Sequence, residues 1–585
     1  MHTRTFPTLR RTAAGVLLTT LGITAALAAD SSKWSTDGLK VMLSVNGGAP
    51  APFFARGVCY GVAPIGDLGN QASPYQDFFY YRGDPNGIGT KGYTPIWTRD
   101  IGTTAKPGYL RKLGVNSLRT YSMYKHGYTD PSKGYRDNYE FWNTLNWSTA
   151  APPSSDWWVH DGHDKFLDMC WNGGKDPIYV WIGVPFAELP FGYAATPEER
   201  KKKEDAYQFF LKTCEWLAKK YGNHPAVMGF ILGNEHDAEA GVNVAKIRQE
   251  NNNNVPLPPP ADWGPDYLLG IDGKPLVSLG GGKYQGMPAG NYWRTDYWDK
   301  LNAMYDVIKK NAPDKLITIA LHDKPRAAGH WLAKADDISK TITLIDQPVW
   351  DYGKMDVLSL NIYRDPKDAL GEYTTTYLKW LKDTGRDAKV KPILFTEMGV
   401  PASTRDGNKA VELPDNGKAA SDILVRQWQQ MFANRSDGGT GPYPDVAGGY
   451  IFSYLDEWFK AGNPQVHDGN DAYMDQAPGK HWDEEWFGLF SVSASPTRGF
   501  SQDVTQSKRQ QPTTDAPERR PPVNEWTGDL NGGPDVLKPR AAYTALQTLF
   551  KENAAPPQSP APVNGVRTTA PTNGKTQGAG DFLSN

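Results

Sequence analysis

The sequence predicts an α/β fold, a (β/α)8 TIM barrel with long loops on its C-terminal face. Three observations predict it. Eight short apolar runs lie at 56–62, 115–121, 177–184, 227–233, 316–321, 355–361, 392–397 and 447–454. Most are continuous rather than alternating, as strands covered on both faces must be. Helical patterns fill the intervals, the alternation that builds a closed parallel sheet. Segments leaving the strands are long (63–108, 122–160, 236–290 and 455–538), whereas those returning to strands are short, as in Tyr221-Gly222-Asn223-His224-Pro225. Insertions of that kind collect on the face where barrels carry their chemistry.

The elements follow in order. Residues 1–28 read as a signal peptide: Arg4, Arg10 and Arg11 precede an apolar run that ends in Ala26-Leu27-Ala28. The expected location is therefore exported, either periplasmic or secreted. The run is too short for a comfortable membrane span. A barrel domain is expected over 40–552. It opens on a hairpin from Lys40 to Phe54, turned at Asn46-Gly47-Gly48. The clearest helix starts at Thr196, with Pro197 at its first position and Glu199 at its third. Tyr207, Phe210, Cys214, Leu217 and Tyr221 then form one stripe at steps of three and four. Similar patterns run over 297–310, 421–433 and 539–551. Residues 554–585 are rich in Pro, Ala, Gly and Thr and are expected to be a disordered tail.

Charge excludes some functions. The 585 residues include 63 basic and 65 acidic side chains, a net charge of −2, which argues against nucleic acid or an anionic membrane as partner. The aromatic count is high, with 20 Trp and 29 Tyr. Several rings, such as Trp142, Trp147, Trp157 and Trp158, fall in Gly/Pro-rich stretches where no helix or strand face claims them. Rings on loops suit the flat apolar faces of sugars, and Trp97, Trp142, Trp157, Trp293, Trp482 and Trp486 are candidates to line a cleft. Three cysteines, Cys59, Cys170 and Cys214, exclude a disulfide scaffold or a zinc ribbon. Buried thiols are expected, with a Cys170–Cys214 bridge as the open alternative.

Two glutamates carry the chemistry. The fourth run ends Gly233-Asn234-Glu235 and the seventh ends Phe395-Thr396-Glu397. Strands four and seven of a barrel face each other across the mouth, so both carboxyls reach one small space. Two facing carboxyls suit glycoside hydrolysis, one protonated to donate to the leaving oxygen and one ionised to attack the anomeric carbon. Weaker signals point elsewhere. His236-Asp237 and His322-Asp323 follow strands four and five, but the first strand has no histidine to complete a metal site, so hydroxyl binding is expected of His236 and His322. No metal or other cofactor is expected. The acidic loop containing Asp456, Glu457, Asp468, Asp471, Asp475, Asp483, Glu484 and Glu485 fits no EF-hand spacing and reads as a solvated face. Gly280-Gly281-Gly282-Lys283 lacks the context of a phosphate loop.

Asn-Glu on strand four with Glu on strand seven resembles the 4/7 superfamily of retaining β-glycosidases, glycoside hydrolase clan A. The resemblance runs from about Arg56 to Lys551. It implies Glu235 as general acid/base, Glu397 as nucleophile, and Asn234 as a partner of the sugar 2-hydroxyl. It also implies that Arg119 holds the nucleophile, that Tyr363 donates to it, and that Trp458 forms a sugar platform; Asn361 is the alternative inward-facing residue on strand six. The opening at 53–60 is similar to β-galactosidase/β-glucuronidase-type catalytic domains. Leu118-Arg119-Thr120-Tyr121 and Gly449-Tyr450-Ile451-Phe452 resemble β-1,3-glucanases and glucanosyltransferases equally. The implied substrate is a β-linked oligo- or polysaccharide, with a β-glucan expected. The alternatives are a β-glucan transglycosylase and a non-catalytic carbohydrate-binding envelope protein.

Overall fold

In the computed structural model, the described residues are 30–62, 65, 94–121, 123, 161–184, 197–235, 255–256, 277–280, 283–285, 299–322, 354–363, 385, 390–458, 460, 466–469, 473–493 and 535–553. The expected signal peptide over 1–28 and the expected tail over 554–585 lie outside them.

Eight parallel strands close into a barrel. They are β4 (Ala55–Cys59), β5 (Ser117–Arg119), β6 (Tyr179–Val184), β7 (Val227–Asn234), β11 (Leu316–His322), β12 (Leu358–Ile362), β13 (Ile393–Met398) and β16 (Val446–Ile451). They pair in that order around the ring, and β16 returns to β4. Each overlaps one of the eight apolar runs. The runs are continuous because both faces are covered: every residue of β6, β12, β13 and β16 is buried.

The helix Pro197–Tyr221 follows β6 and buries Phe210, Cys214, Leu217 and Tyr221 of the predicted stripe, while Tyr207, its first member, is partly buried against the same core. The helices Asp299–Asn311 and Ala541–Glu552 stand within two residues of the expected bounds, whereas Pro414–Ala433 begins seven residues before the expected 421. Cys59, Cys170 and Cys214 are all buried free thiols, so the bridge left open between Cys170 and Cys214 is not formed.

The N-terminal hairpin is a three-stranded sheet, because β1 (Ser32–Asp37) precedes β2 (Lys40–Val45) and β3 (Ala51–Pro52). Asn46 and Gly47 both take positive φ at the turn, the conformation that Asn-Gly tolerates best. This sheet docks on the N-terminal end of the barrel. The buried Lys315 ammonium donates to Ser32 O (2.9 Å) and Oγ (3.0 Å) of the sheet and to Val227 O (2.8 Å) of the barrel.

Short strands decorate the loops: β8 (Val255–Pro256), β9 (Val277–Gly280), β10 (Lys283–Gln285), β14 (Ser403–Asp406), β15 (Lys409–Glu412), β17 (Phe490–Ser493) and β18 (Val536–Pro539). The β17–β18 pair joins the long loop after β16 to the segment leading into the last helix. Among the described residues no helix is long and apolar enough to cross a membrane.

Candidate active site

The C-terminal ends of β5, β7, β12 and β13 bring six predicted residues together: Arg119, Asn234, Glu235, Asn361, Tyr363 and Glu397. Arg119, on β5, is 1% exposed and acts as the hub. Its Nη1 donates to Glu397 Oε1 (2.8 Å), Asn361 Oδ1 (3.0 Å) and Thr396 O (2.9 Å), and its Nη2 donates to Asn234 Oδ1 (2.6 Å). A planar guanidinium serves several acceptors at fixed angles, which a lysine would not reproduce.

Asn361 joins the two glutamates. Its Nδ2 donates to Glu235 Oε1 (2.9 Å) and to Asn234 Oδ1 (2.9 Å), while its Oδ1 accepts from Arg119 and from Thr396 Oγ1 (2.8 Å). The side chain is fully buried and its amide is committed to protein partners. Asn361 therefore sits beneath the pocket as a connector, while Tyr363, two residues on, reaches the carboxylate.

Glu397 receives three donors. Arg119 and Tyr121 (2.6 Å) meet Oε1, and Tyr363 donates to Oε2. Burial, together with the nearby Glu397 charge, holds both phenols well above their ordinary range, so they remain O–H donors. Three convergent donors suit a carboxylate, which accepts and does not donate. Tyr121 was not among the sequence candidates. It stands two residues after Arg119, on the same face of an extended chain, but beyond the end of β5.

Glu235 stands differently. It follows Gly233 (φ +71°) and Asn234 at the end of β7, and its own φ is +56°. A non-glycine residue in the left-handed region costs on the order of 1–3 kcal/mol and tends to mark a site where geometry is imposed. The bond from Glu235 N to Ala320 O (2.9 Å) on the neighbouring strand holds that conformation. Asn234 has its Oδ1 between two donors, which fixes the amide orientation. Its Nδ2 meets no acceptor among the described residues and is half-buried, so it can donate to a ligand.

The wall after β16 is aromatic. Trp482 packs edge-on to Tyr363 with centroids 4.4 Å apart. Trp458, half-buried, stacks on His467 (4.7 Å, 8°), which stacks on Trp486 (3.5 Å, 12°). Trp97 corrects an expectation: it is fully buried against Phe166, a core residue rather than a cleft ring. Trp142, Trp147, Trp157, Trp158, Trp293, His236 and the side chain of His322 lie outside the described residues.

The acidic loop is a second correction. Asp456, Glu457, Asp483 and Glu485 are buried, not solvated. Asp456 takes a bidentate bond from Arg540 (2.5 and 2.7 Å), and Asp483 pairs with Arg405 and Ser403. The arginines that neutralise these acids come from distant parts of the chain, so local composition did not reveal them. Among the described residues no group of three or more His, Cys, Asp or Glu is placed to hold a metal ion.

No protein-family model matches the chain. No curated protein sequence matches it either. Among solved structures it is similar to a GH2 β-galacturonidase from Eisenbergiella tayi bound to galacturonate, at 14% identity and a TM-score of 0.39, covering 89% of this chain and 54% of that one. It is also similar to Faecalibacterium prausnitzii β-glucuronidase, at 14% identity and a TM-score of 0.38, over 89% and 52% of the two chains. For Ruminococcus gnavus β-glucuronidase the values are 11%, 0.39, 89% and 53%. The chain spans about half the length of these proteins. Likeness at this level assigns no function.

Proposed function

We propose that the protein is a retaining glycoside hydrolase acting on β-linked oligo- or polysaccharide, with a β-glucan as the substrate class. The observation that carries this is the pair Glu235 and Glu397, at the ends of strands four and seven of one barrel and linked through Asn361 and Arg119. In this account Glu397, ringed by donors, attacks the anomeric carbon and forms a glycosyl-enzyme ester. The leaving oxygen takes the Glu235 proton. Glu235 then removes a proton from water, the water oxygen attacks the anomeric carbon, and Glu397 leaves as carboxylate. Asn234 donates through Nδ2 to the sugar 2-hydroxyl, a contact that strengthens as positive charge develops on the ring. Trp458 and Trp482 supply apolar faces for the sugar.

A sugar hydroxyl in place of water makes the same chemistry a transglycosylation, and the aromatic wall after β16 favours keeping this as the second reading. A non-catalytic sugar-binding role would leave the donor ring on Glu397 without a purpose. We also propose that the chain works outside the cytoplasm after removal of residues 1–28, which sequencing the N-terminus of the mature protein tests.

The deciding experiment is a panel of β-linked oligosaccharides, with product sizes and anomeric configuration followed by NMR. Initial release of the β-anomer supports the proposal, and products longer than the substrate identify transfer. Initial release of the α-anomer, or no turnover on any β-glycan, overturns it.

A further inference from the structure

Glu457 and Lys460, just after β16, are not used by this mechanism. Glu457 is 2% exposed, and its Oε2 is wholly enclosed with no donor at hydrogen-bond length among the described residues, although the carboxyl interacts with Lys460. A buried polar group without a partner carries a desolvation cost of about 1–3 kcal/mol, which a ligand removes by binding there. The Lys460 ammonium lies 3.7 Å from Glu457 Oε2 and 3.7 Å from Glu484 Oε2. Both are ion-pair separations longer than a close hydrogen bond, so neither acid holds the ammonium by a short N–H contact.

Both groups face the catalytic pair. Glu457 interacts electrostatically with Glu397, Glu484, Lys460, Tyr121 and Cys59. Lys460 interacts with Glu235 and Glu397 as well as its two neighbours. Lys460 also lies over the Phe452 ring (5.4 Å), and that ring packs edge-on to Tyr363. The pair therefore borders the pocket on the β16 side, next to the nucleophile.

The ligand class follows from charge. Burial pushes the Glu457 carboxyl up to about 8, so at neutral pH it carries a proton and can both donate and accept. Burial opposes the Lys460 charge, but Glu484, Glu457, Glu397 and Glu235 outweigh it, so the amine stays an ammonium. Glu484 already balances that charge. A further carboxylate on the substrate would join an acid-rich surround, whereas hydroxyls would take the unused donors and acceptor. Resting on the glycosidase reading above, we propose that Glu457 and Lys460 form the hydroxyl-recognising side of the sugar subsite. They hold adjacent hydroxyls of a neutral ring and select it over the corresponding uronic ring.

The test uses the full chain carrying Glu397→Gln, so that no turnover consumes the ligand. Binding of a neutral β-gluco-oligosaccharide and of its C6-oxidised counterpart is measured by calorimetry. The neutral ligand is expected to bind at least about 10-fold more tightly. Adding Glu457→Ala or Lys460→Met is expected to cost the neutral ligand about 10-fold, the range of one or two lost hydrogen bonds. Adding Glu457→Gln preserves shape and neutrality and is expected to stay within about 3-fold. In the Glu397→Gln chain, where burial still raises the Glu457 carboxyl, affinity is expected to fall as pH rises above neutrality and to become flat when Glu457→Gln is added. The Tyr121 hydroxyl, Cys59 thiol and Lys460 amine are all raised from their ordinary ranges and do not titrate there.

Equal or tighter binding of the oxidised ligand overturns the proposal, as does unchanged neutral affinity in thermally stable Glu457→Ala and Lys460→Met proteins. If the native enzyme cleaves a β-glycan but the glucan ligand does not bind here, this inference fails and the hydrolase assignment stands. If the ligand binds with the expected pattern and nothing is cleaved, the hydrolase assignment fails instead.

Discussion

Tyr121 and Tyr363 each give one hydrogen bond to Glu397, at different oxygens, and this sets the terms for prediction at the residue scale. Tyr121→Phe and Tyr363→Phe keep the ring and remove the donor. A hydrogen bond to a charged group contributes about 1.5–3 kcal/mol, so each change should lower kcat by about 10- to 100-fold while the protein stays folded. Steady-state kinetics and a thermal melt check this, and unchanged kcat in both variants would contradict the orienting role. Glu235 and Glu397 could be picked out because an apolar run that stops on a polar side chain marks a strand end, whereas Arg119 and Tyr363 rested on the family resemblance alone. Tyr121 was harder to see because β5 is only three residues long and the pattern gives no sign that the chain stays extended beyond it. Glu457 was misread for a different reason. Acidic composition suggested a solvated loop, and sequence does not reveal which acid will be enclosed.

At the scale of elements, the loop after β16 is held by pairings that join distant segments. Arg540, 1% exposed at the start of the last helix, makes a bidentate bond to Asp456, also donates to Gly488 O (2.7 Å), and sits beside Trp486. Removing one partner of a buried ion pair strands the other charge, at a cost of about 3–5 kcal/mol. Arg540→Met should therefore lower unfolding free energy by that order. Because Asp456 precedes Glu457 and Trp458, it should also raise KM more than it lowers kcat. Denaturant unfolding and kinetics test both, and a stability loss below about 1 kcal/mol would show that the pair is not what anchors the loop. The barrel strands were legible because continuous apolar runs mean burial on both faces. Strand β1 was not, since it buries only Ser32 and Trp34 of its six residues and offers little apolar signal.

For the whole molecule, the N-terminal sheet packs on the barrel end away from the Glu235 and Glu397 strand ends. Trp34 packs at right angles to Phe53 and Tyr179, with centroids 4.9 and 4.8 Å away, and Lys315 ties the sheet to β7. Lys315→Met keeps most of the volume but leaves buried oxygens without a donor, so stability should fall by at least about 1–3 kcal/mol. Equilibrium unfolding would show it, and an unchanged midpoint would mean the sheet docks through its aromatic contacts alone. The central claim, that Glu397 bonds covalently to the sugar, has a more direct test. Glu397→Ala should abolish turnover on any glycan the native enzyme cleaves, and added azide should restore slow formation of a glycosyl azide of inverted, α configuration. Near-native rates in both Glu397→Ala and Glu235→Ala, with no azide product, would contradict it.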